Sequence, residues 1–222
     1  MPHFKHIQKA AQIATALLSR PQDIPRYIQT LPLWKSATPL SLSLPWLTYS
    51  AIDELSSYLT KEHRVLEWGA GGSTRYFASR VGRVYSKETD SHWYELLQKT
   101  ISEQTHVTLS YEPLQRDGDG TINPTKYLSI PPEPFSVFLI DGVVYDELGH
   151  LQIPQKDKPP LELREACFAV AEANVPEGGL IIVDDAQWYS SLLEANNAKR
   201  VKRCIGCCPC NYGIKETTLF YY

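Results

Sequence analysis

The chain reads as an α/β protein: an open, mainly parallel, twisted sheet of about seven strands, helices on both faces and a helical N-terminal extension. Three observations predict this. From residue 48 onward, short apolar runs alternate with segments of helical spacing. Two of the runs, "FSVFLIDG" (135–142) and "GGLIIVDD" (178–185), are almost continuously apolar, as strands buried on both faces must be. The last two runs, "KRCIG" and "IKETTLFYY", lie too close together for a crossover helix. They read as a hairpin, which places an antiparallel strand near the C-terminus.

Each element follows in order. Residues 5–19 have helical spacing, with Ile7, Ala11, Ile13, Leu17 and Leu18 as an apolar face. Pro21, Pro25 and Pro32 then divide the chain into short pieces. Residues 34–46 read as irregular and extended, because Pro39 and Pro45 cannot continue a helix. Residues 1–45 therefore form an extension that packs on a core domain spanning 46–222. In that core, "TYSAIDELSSYLT" is a helix with Ile52, Leu55 and Leu59 on one face. "RVLEW" (64–68) is a strand, "STRYFASRV" (73–81) a helix, "GRVYSKE" (82–88) a strand and "SHWYELLQKTISE" (91–103) a helix. "HVTLSYEP" (106–113) alternates as a strand does, and "ELREACFAVAEANV" (162–175) is the helix between the two buried runs.

Composition narrows the function. A net charge of −3 over 222 residues argues against a nucleic-acid or membrane-surface binder, which needs a basic face. No apolar run reaches the length of a membrane span. Gln12 interrupts the apolar stretch at the N-terminus, so it reads as an amphipathic helix rather than a signal peptide. Its lack of acids before Asp23 keeps a transit segment as an alternative. Four of the five cysteines crowd into one segment, so no disulfide framework spans the chain, and a reducing, cytoplasmic setting is expected.

The chemistry concentrates in "VLEWGAGGSTRYFA" (65–78), where a buried strand ends in Glu67 and runs into Gly69, Gly71 and Gly72. In open α/β sheets, ligands bind beyond the carboxyl ends of the strands, and glycine lets backbone approach them. A dinucleotide turn wants a third glycine where Thr74 stands. Glu67 would also repel a pyrophosphate. A carboxylate there suits a ligand bearing ammonium or sulfonium charge, and S-adenosylmethionine carries both.

"VLEWGAGGST" resembles the first motif of class I S-adenosylmethionine-dependent methyltransferases: an acid, any residue, Gly, any residue, Gly. The resemblance covers roughly Pro45 to Tyr222. It implies cofactor binding by Glu67, Gly69, Gly71, Gly72 and Ser73. Glu88, at the end of the second strand, matches the acid that holds the ribose hydroxyls. A carboxylate can accept hydrogen bonds from two neighbouring hydroxyls. "PWLTYSAIDEL" resembles segments that close over the cofactor, which makes Trp46 a candidate contact. Glu replaces the commoner Asp at 67. The N-P-P-Y-type motif of enzymes that methylate bases and amides is missing, since the fourth strand ends in Ile140-Asp141-Gly142.

Methyl transfer to a hydroxyl needs in-line positioning and removal of a proton. Asp141 is the candidate base, because the fourth strand ends near the transferable methyl in this family. Asp184 and Asp185 end the neighbouring strand. With Asp141 they resemble the Mg²⁺-binding carboxylates of catechol-type O-methyltransferases, although Asp185 replaces an Asn. Arg164, Tyr145, His150 and Tyr189 are candidates for the acceptor pocket, with 141–160 as a specificity loop. The expected activity is O-methylation of a small-molecule or sugar-like acceptor. A non-catalytic cofactor-binding protein and a Mg²⁺-dependent catechol-type enzyme are the alternatives. "RDGDGTIN" fails as a calcium loop, since Gln115 and Lys126 would occupy the first and twelfth positions. Cys204, Cys207, Cys208 and Cys210 lack the second, separated pair that zinc sites draw on, and read as reduced structural thiols, with a zinc or soft-metal site as the alternative.

Overall fold

Helix α1 (Pro2–Ser19) opens the chain. Its buried stripe is narrower than the spacing predicts: Ile13 is buried and Ala16 and Leu17 pack against the core, while Ile7 and Leu18 stay exposed. Helix α2 (Asp23–Thr30), a 3₁₀ turn (Leu31–Lys35) and the short α3 (Pro39–Leu42) follow. The one-turn α3 corrects the expectation of extended chain over 34–46. Pro39 is its first residue, where a missing N–H costs no intrahelical bond. Helix α4 (Tyr49–Tyr58) starts at Thr48, whose side chain accepts the Ala51 N–H. As its periodicity predicts, it buries Ile52 and Leu55. The structure is a computed structural model describing residues 2–35, 39–119, 122–142 and 163–222.

The core then alternates: β1 (Arg64–Trp68), α5 (Gly72–Ala78), β2 (Arg83–Glu88), α6 (Ser91–Ile101) and β3 (Val107–Tyr111). A two-residue antiparallel ladder pairs β4 (Gln115–Arg116) with β5 (Ile122–Asn123), within the stretch that failed as a calcium loop. Next come α7 (Thr125–Leu128), β6 (Val137–Ile140), α8 (Leu163–Glu172), β7 (Leu180–Asp184) and α9 (Ser191–Glu194). The hairpin β8 (Arg200–Gly206) and β9 (Lys215–Tyr221) completes the sheet. The strand order is β3-β2-β1-β6-β7-β9-β8. All pairings from β3 to β7 are parallel, and β9 runs antiparallel between β7 and β8.

Period-two alternation sorts the core into two layers. Val65, Val84, Val137, Leu139, Leu180 and Ile182 face α4 and α5. Leu66, Trp68, Phe138, Ile140, Ile181 and Val183 face α7 and α8. Both faces of the sheet are covered, which is why the central strands read as unbroken apolar runs. Ile13 and Tyr27 join the first layer beside Leu47, Tyr49 and Cys207. Arg20 and Arg26 each reach Asp53 at 2.7 Å, and both also pair with Asp23, so α2 is clipped to α4. What positions the site is the sheet's switch point: β1 pairs with β2 on one side and with β6 on the other.

Candidate functional site

A cavity of about 420 Å³ opens at that switch point. Its wall includes Gly69 to Ser73, Glu88, Trp46 and Asp141, all singled out from the sequence except Ala70. Arg164 and Asp185 also line it, as do Asp90, Trp93 and Lys215, which sequence reasoning missed.

The turn after β1 is fixed by close approach. Gly69 has φ +97°, and a Cβ built on it would lie 2.4 Å from the Cα of Gly142, at the end of β6. Glycine is therefore required there by the fold itself. Gly71 differs. A Cβ on it would meet nothing nearer than the Trp93 indole at 3.5 Å, an ordinary contact. The protein's own packing does not call for glycine at 71, but a ligand lying against the turn would.

The turn's N–H groups are already engaged. Gly69 donates to the Lys87 carbonyl at 2.9 Å, Ala70 to Glu88 Oε2 at 3.1 Å and Gly71 to Thr74 Oγ1 at 2.9 Å. Thr74 passes the chain of bonds on, donating to Glu67, and Ser86 donates to the same carboxylate oxygen at 2.5 Å. This explains the threonine in place of a third glycine: its hydroxyl ties the turn to the end of β1. Glu67 is wholly buried and does not line the cavity, and its Oε2 has no hydrogen-bond partner among the described residues. Burial pushes its carboxyl up to about 7, against the pull of the Ser86, Thr74 and Ser73 hydroxyls.

Glu88 ends β2 and faces the cavity. Besides the Ala70 N–H, its carboxylate accepts those of Thr89 at 2.7 Å and Asp90 at 2.9 Å. Burial nevertheless lifts it to about 7, with these backbone donors pulling the other way. A carboxylate has about four acceptor positions, so one remains for a ligand hydroxyl. Asp90 caps α6 by accepting the Trp93 N–H at 2.7 Å, and the Trp93 indole donates to the Ala70 carbonyl at 2.6 Å. The sequence signal for this pair was an Asp directly before a helix, with Trp three residues on.

The far end of the cavity is a charge cluster. Asp141 extends β6, and Arg164 of α8 donates to its carbonyl at 3.0 Å and lies 3.7 Å from its carboxylate. Arg164 also donates to the Asp184 carbonyl and stacks over Tyr189 at 5.6 Å. Asp184 is fully buried and accepts from Thr217 at 2.8 Å and from Lys215. Burial holds both the Asp141 and Asp184 carboxyls above their ordinary value, while Lys215 draws them down. Lys215 starts β9, two residues before Thr217, the register partner of Asp184. Its own ammonium stays above its ordinary value: burial works to lower it, and Asp184, Asp141 and Asp185 outweigh that. Trp46 sits at the rim, with its indole donating to the Pro209 carbonyl at 2.7 Å. Tyr189 contacts Arg164 without lining the cavity, and Tyr145 and His150 lie outside the described residues.

All five cysteines are buried and unpaired. Among the described residues, no group of three His, Cys, Asp or Glu side chains is placed to hold a metal ion. No described helix is long and apolar enough to cross a membrane.

The strand order, the lone antiparallel strand and the place of the cavity define the Rossmann-like fold of class I S-adenosylmethionine-dependent methyltransferases. Solved structures share it at low identity. SMU.1697c from Streptococcus mutans, solved in complex with S-adenosylhomocysteine, superposes with a TM-score of 0.53 at 12% identity, covering 84% of this chain and 99% of that one. The O-methyltransferase TomG from Streptomyces achromogenes, involved in tomaymycin synthesis and solved with S-adenosylmethionine, gives 0.51 at 17% identity, over 91% and 96% of the two chains. The precorrin-6y C5,15-methyltransferase from Geobacter metallireducens gives 0.52 at 12% identity, over 76% and 87%. No protein-family model and no curated protein matches the chain.

Proposed function

We propose that the chain binds S-adenosylmethionine at the glycine turn and catalyses transfer of its methyl group to an oxygen of a small-molecule acceptor. The observation that carries this is the turn itself. Its N–H groups at 69, 70 and 71 are spent on the protein, so none of the three is free for a pyrophosphate, while Gly71 lines the cavity together with Glu88 and a Cβ on it would meet nothing nearer than the Trp93 indole at 3.5 Å. The residues present fit the cofactor: Glu88 would accept from a ribose hydroxyl, Trp93 and Asp90 would form the adjoining wall, and Glu67 supplies negative charge behind the turn. When bound, the cofactor supplies an activated methyl on a sulfonium.

The chain's part is to place the acceptor in line and take its proton. Asp141, raised by burial and following β6, on the other side of β1 from the strand that ends in Glu88, is the group for that proton. Trp46 offers an indole surface at the rim. A net charge of −3 supports a small-molecule acceptor over nucleic acid. Five unpaired thiols suit a reducing, cytoplasmic setting. The core 46–222 would be the cofactor-binding unit, with 1–45 packed on it.

Calorimetric titration with S-adenosylhomocysteine and, separately, with NAD tests the ligand. The first should bind and the second should not; the reverse result rejects the reading. A screen of hydroxylated acceptors with methyl-labelled cofactor tests the reaction. Asp141→Asn keeps the shape but cannot take a proton. It should hold cofactor affinity within a few-fold while slowing the chemical step by about 10²-fold or more. Undiminished turnover in that variant removes Asp141 from the base role.

A further inference from the structure

Catechol-type enzymes of this fold place a divalent ion among carboxylates at the ends of the fourth and fifth parallel strands. Here those positions are held by Asp141, Asp184 and Asp185, and the structure tests whether the set suits such an ion. It does not, because a cation of the chain's own is already there. The β7–β9 register pairs Asp184 with Thr217, and Lys215 lies two residues earlier on β9, on the same face. Its ammonium touches the buried Asp184 carboxylate, lies 3.4 Å from Asp185 Oδ1 and donates to the Trp46 carbonyl at 3.0 Å. The ammonium thus donates two hydrogen bonds, to Asp184 and Trp46, and forms an ion pair with Asp185. Arg164, 3.7 Å from Asp141, brings a second fixed cation to the same cluster.

A magnesium ion would need several oxygens at about 2.0–2.1 Å in near-octahedral array and keeps several waters. The Asp184 carboxylate is wholly buried, and the Lys215 side chain is only 12% exposed, which leaves that carboxylate no access to a hydrated ion. Two positive groups also remove most of the charge that would attract one.

We propose that Lys215 is a built-in cation that takes the place of the divalent metal, so that the acceptor end of this cavity works without one. Lys215 is a positioning residue here: it holds Asp184, Asp185 and the backbone at Trp46. A consequence for acceptor choice follows from the same contacts. With no ion to chelate, a vicinal diol has no advantage over an acceptor bearing a single hydroxyl. The acceptor consequence rests on the methyl-transfer reading above; the occupancy of the cluster does not.

The experiment measures metal binding directly. The intact chain, with and without S-adenosylhomocysteine, is titrated with Mn²⁺ followed by electron paramagnetic resonance, and its Tm is recorded with and without Mg²⁺. The wild type should bind no Mn²⁺ at the cavity and show no Mg²⁺ shift. Lys215→Ala opens the cluster and should bind Mn²⁺ about tenfold tighter or better than wild type, oxygen-rich sites being what such ions take, with a Tm that rises on adding Mg²⁺. Lys215→Gln keeps a donor and most of the stem. It removes the ammonium charge from Asp184 and Asp185 and should gain the same response if Lys215→Ala fails to fold. Stoichiometric Mn²⁺ binding by the wild type, or no gain in a folded variant, overturns the proposal. Because the readouts are occupancy and Tm, such a failure is separable from a failure of cofactor binding, which the homocysteine titration decides alone.

Discussion

Glu88 serves the fold first and, under the proposed function, a ligand as well. Its carboxylate gathers the N–H groups of Ala70, Thr89 and Asp90, so it shapes the glycine turn and the start of α6 together. Replacing it by Ala should weaken S-adenosylhomocysteine binding by roughly 1–3 kcal/mol, the scale of a charge-assisted hydrogen bond. Calorimetry reads the change, and an unaltered affinity in a folded Glu88→Ala protein removes the ribose assignment. Glu67 is a different kind of residue. The motif suggested direct contact with the cofactor, whereas the side chain is turned to Thr74 and Ser86. A motif gives the position of a carboxylate on a strand, but the hydroxyls that claim it come from a helix and a neighbouring strand. Nothing in local spacing announces them.

At the scale of elements, the strands of the main sheet were readable to within a residue or two because each carries its own signal: β7 is an apolar run that ends in an acid, and β1 and β2 carry an acid at their next-to-last and last positions. The short pieces were not, since a one-turn helix such as α3 or a two-residue ladder such as β4–β5 has too few residues to show a period. Lys215 was hidden for another reason. Its place in the site depends on which strand β9 lies beside, and pairing is a long-range fact. Helix α6 shows the gain from combining the two levels. Asp90 caps it and lines the cavity, so Asp90→Ala should lower stability by about 1 kcal/mol, the usual worth of an N-cap, and should weaken cofactor binding as well. Chemical denaturation and calorimetry measure the two effects separately. A loss of stability with cofactor affinity unchanged would confine Asp90 to the cap.

Over the whole molecule, the raised acids govern how stability responds to pH. Glu67 and Glu88 are both lifted from 4.5 to about 7 by burial. Between those values the folded state holds more protons than the unfolded chain, so these two groups favour folding most below about pH 4.5 and lose that effect as pH rises through 7. Glu54, Glu133 and Glu216 are lowered by cationic partners and act with the opposite sign, but only below their ordinary value. Tm should therefore fall between about pH 5 and 7.5, and Glu67→Gln or Glu88→Gln should flatten the slope. A cationic cofactor favours the ionised carboxylates, so its affinity should rise over the same interval with release of protons. Calorimetry in two buffers of different ionisation enthalpy detects that release, and binding without proton release would contradict the raised values.

The position of β9 carries a consequence for how the protein is made. Strand β8 has β9 as its sole neighbour in the sheet, and β9 also covers the open side of β7. On a ribosome, β7 and β8 therefore emerge before the strand that joins them, and both wait with unpaired edges. Such edges are templates for pairing with other chains. A nascent chain halted before Lys215 would lack two strands from its sheet rather than one, along with the cation at the acceptor end of the cavity. Closure of the sheet and placement of Lys215 in the cavity wall are then a single late event.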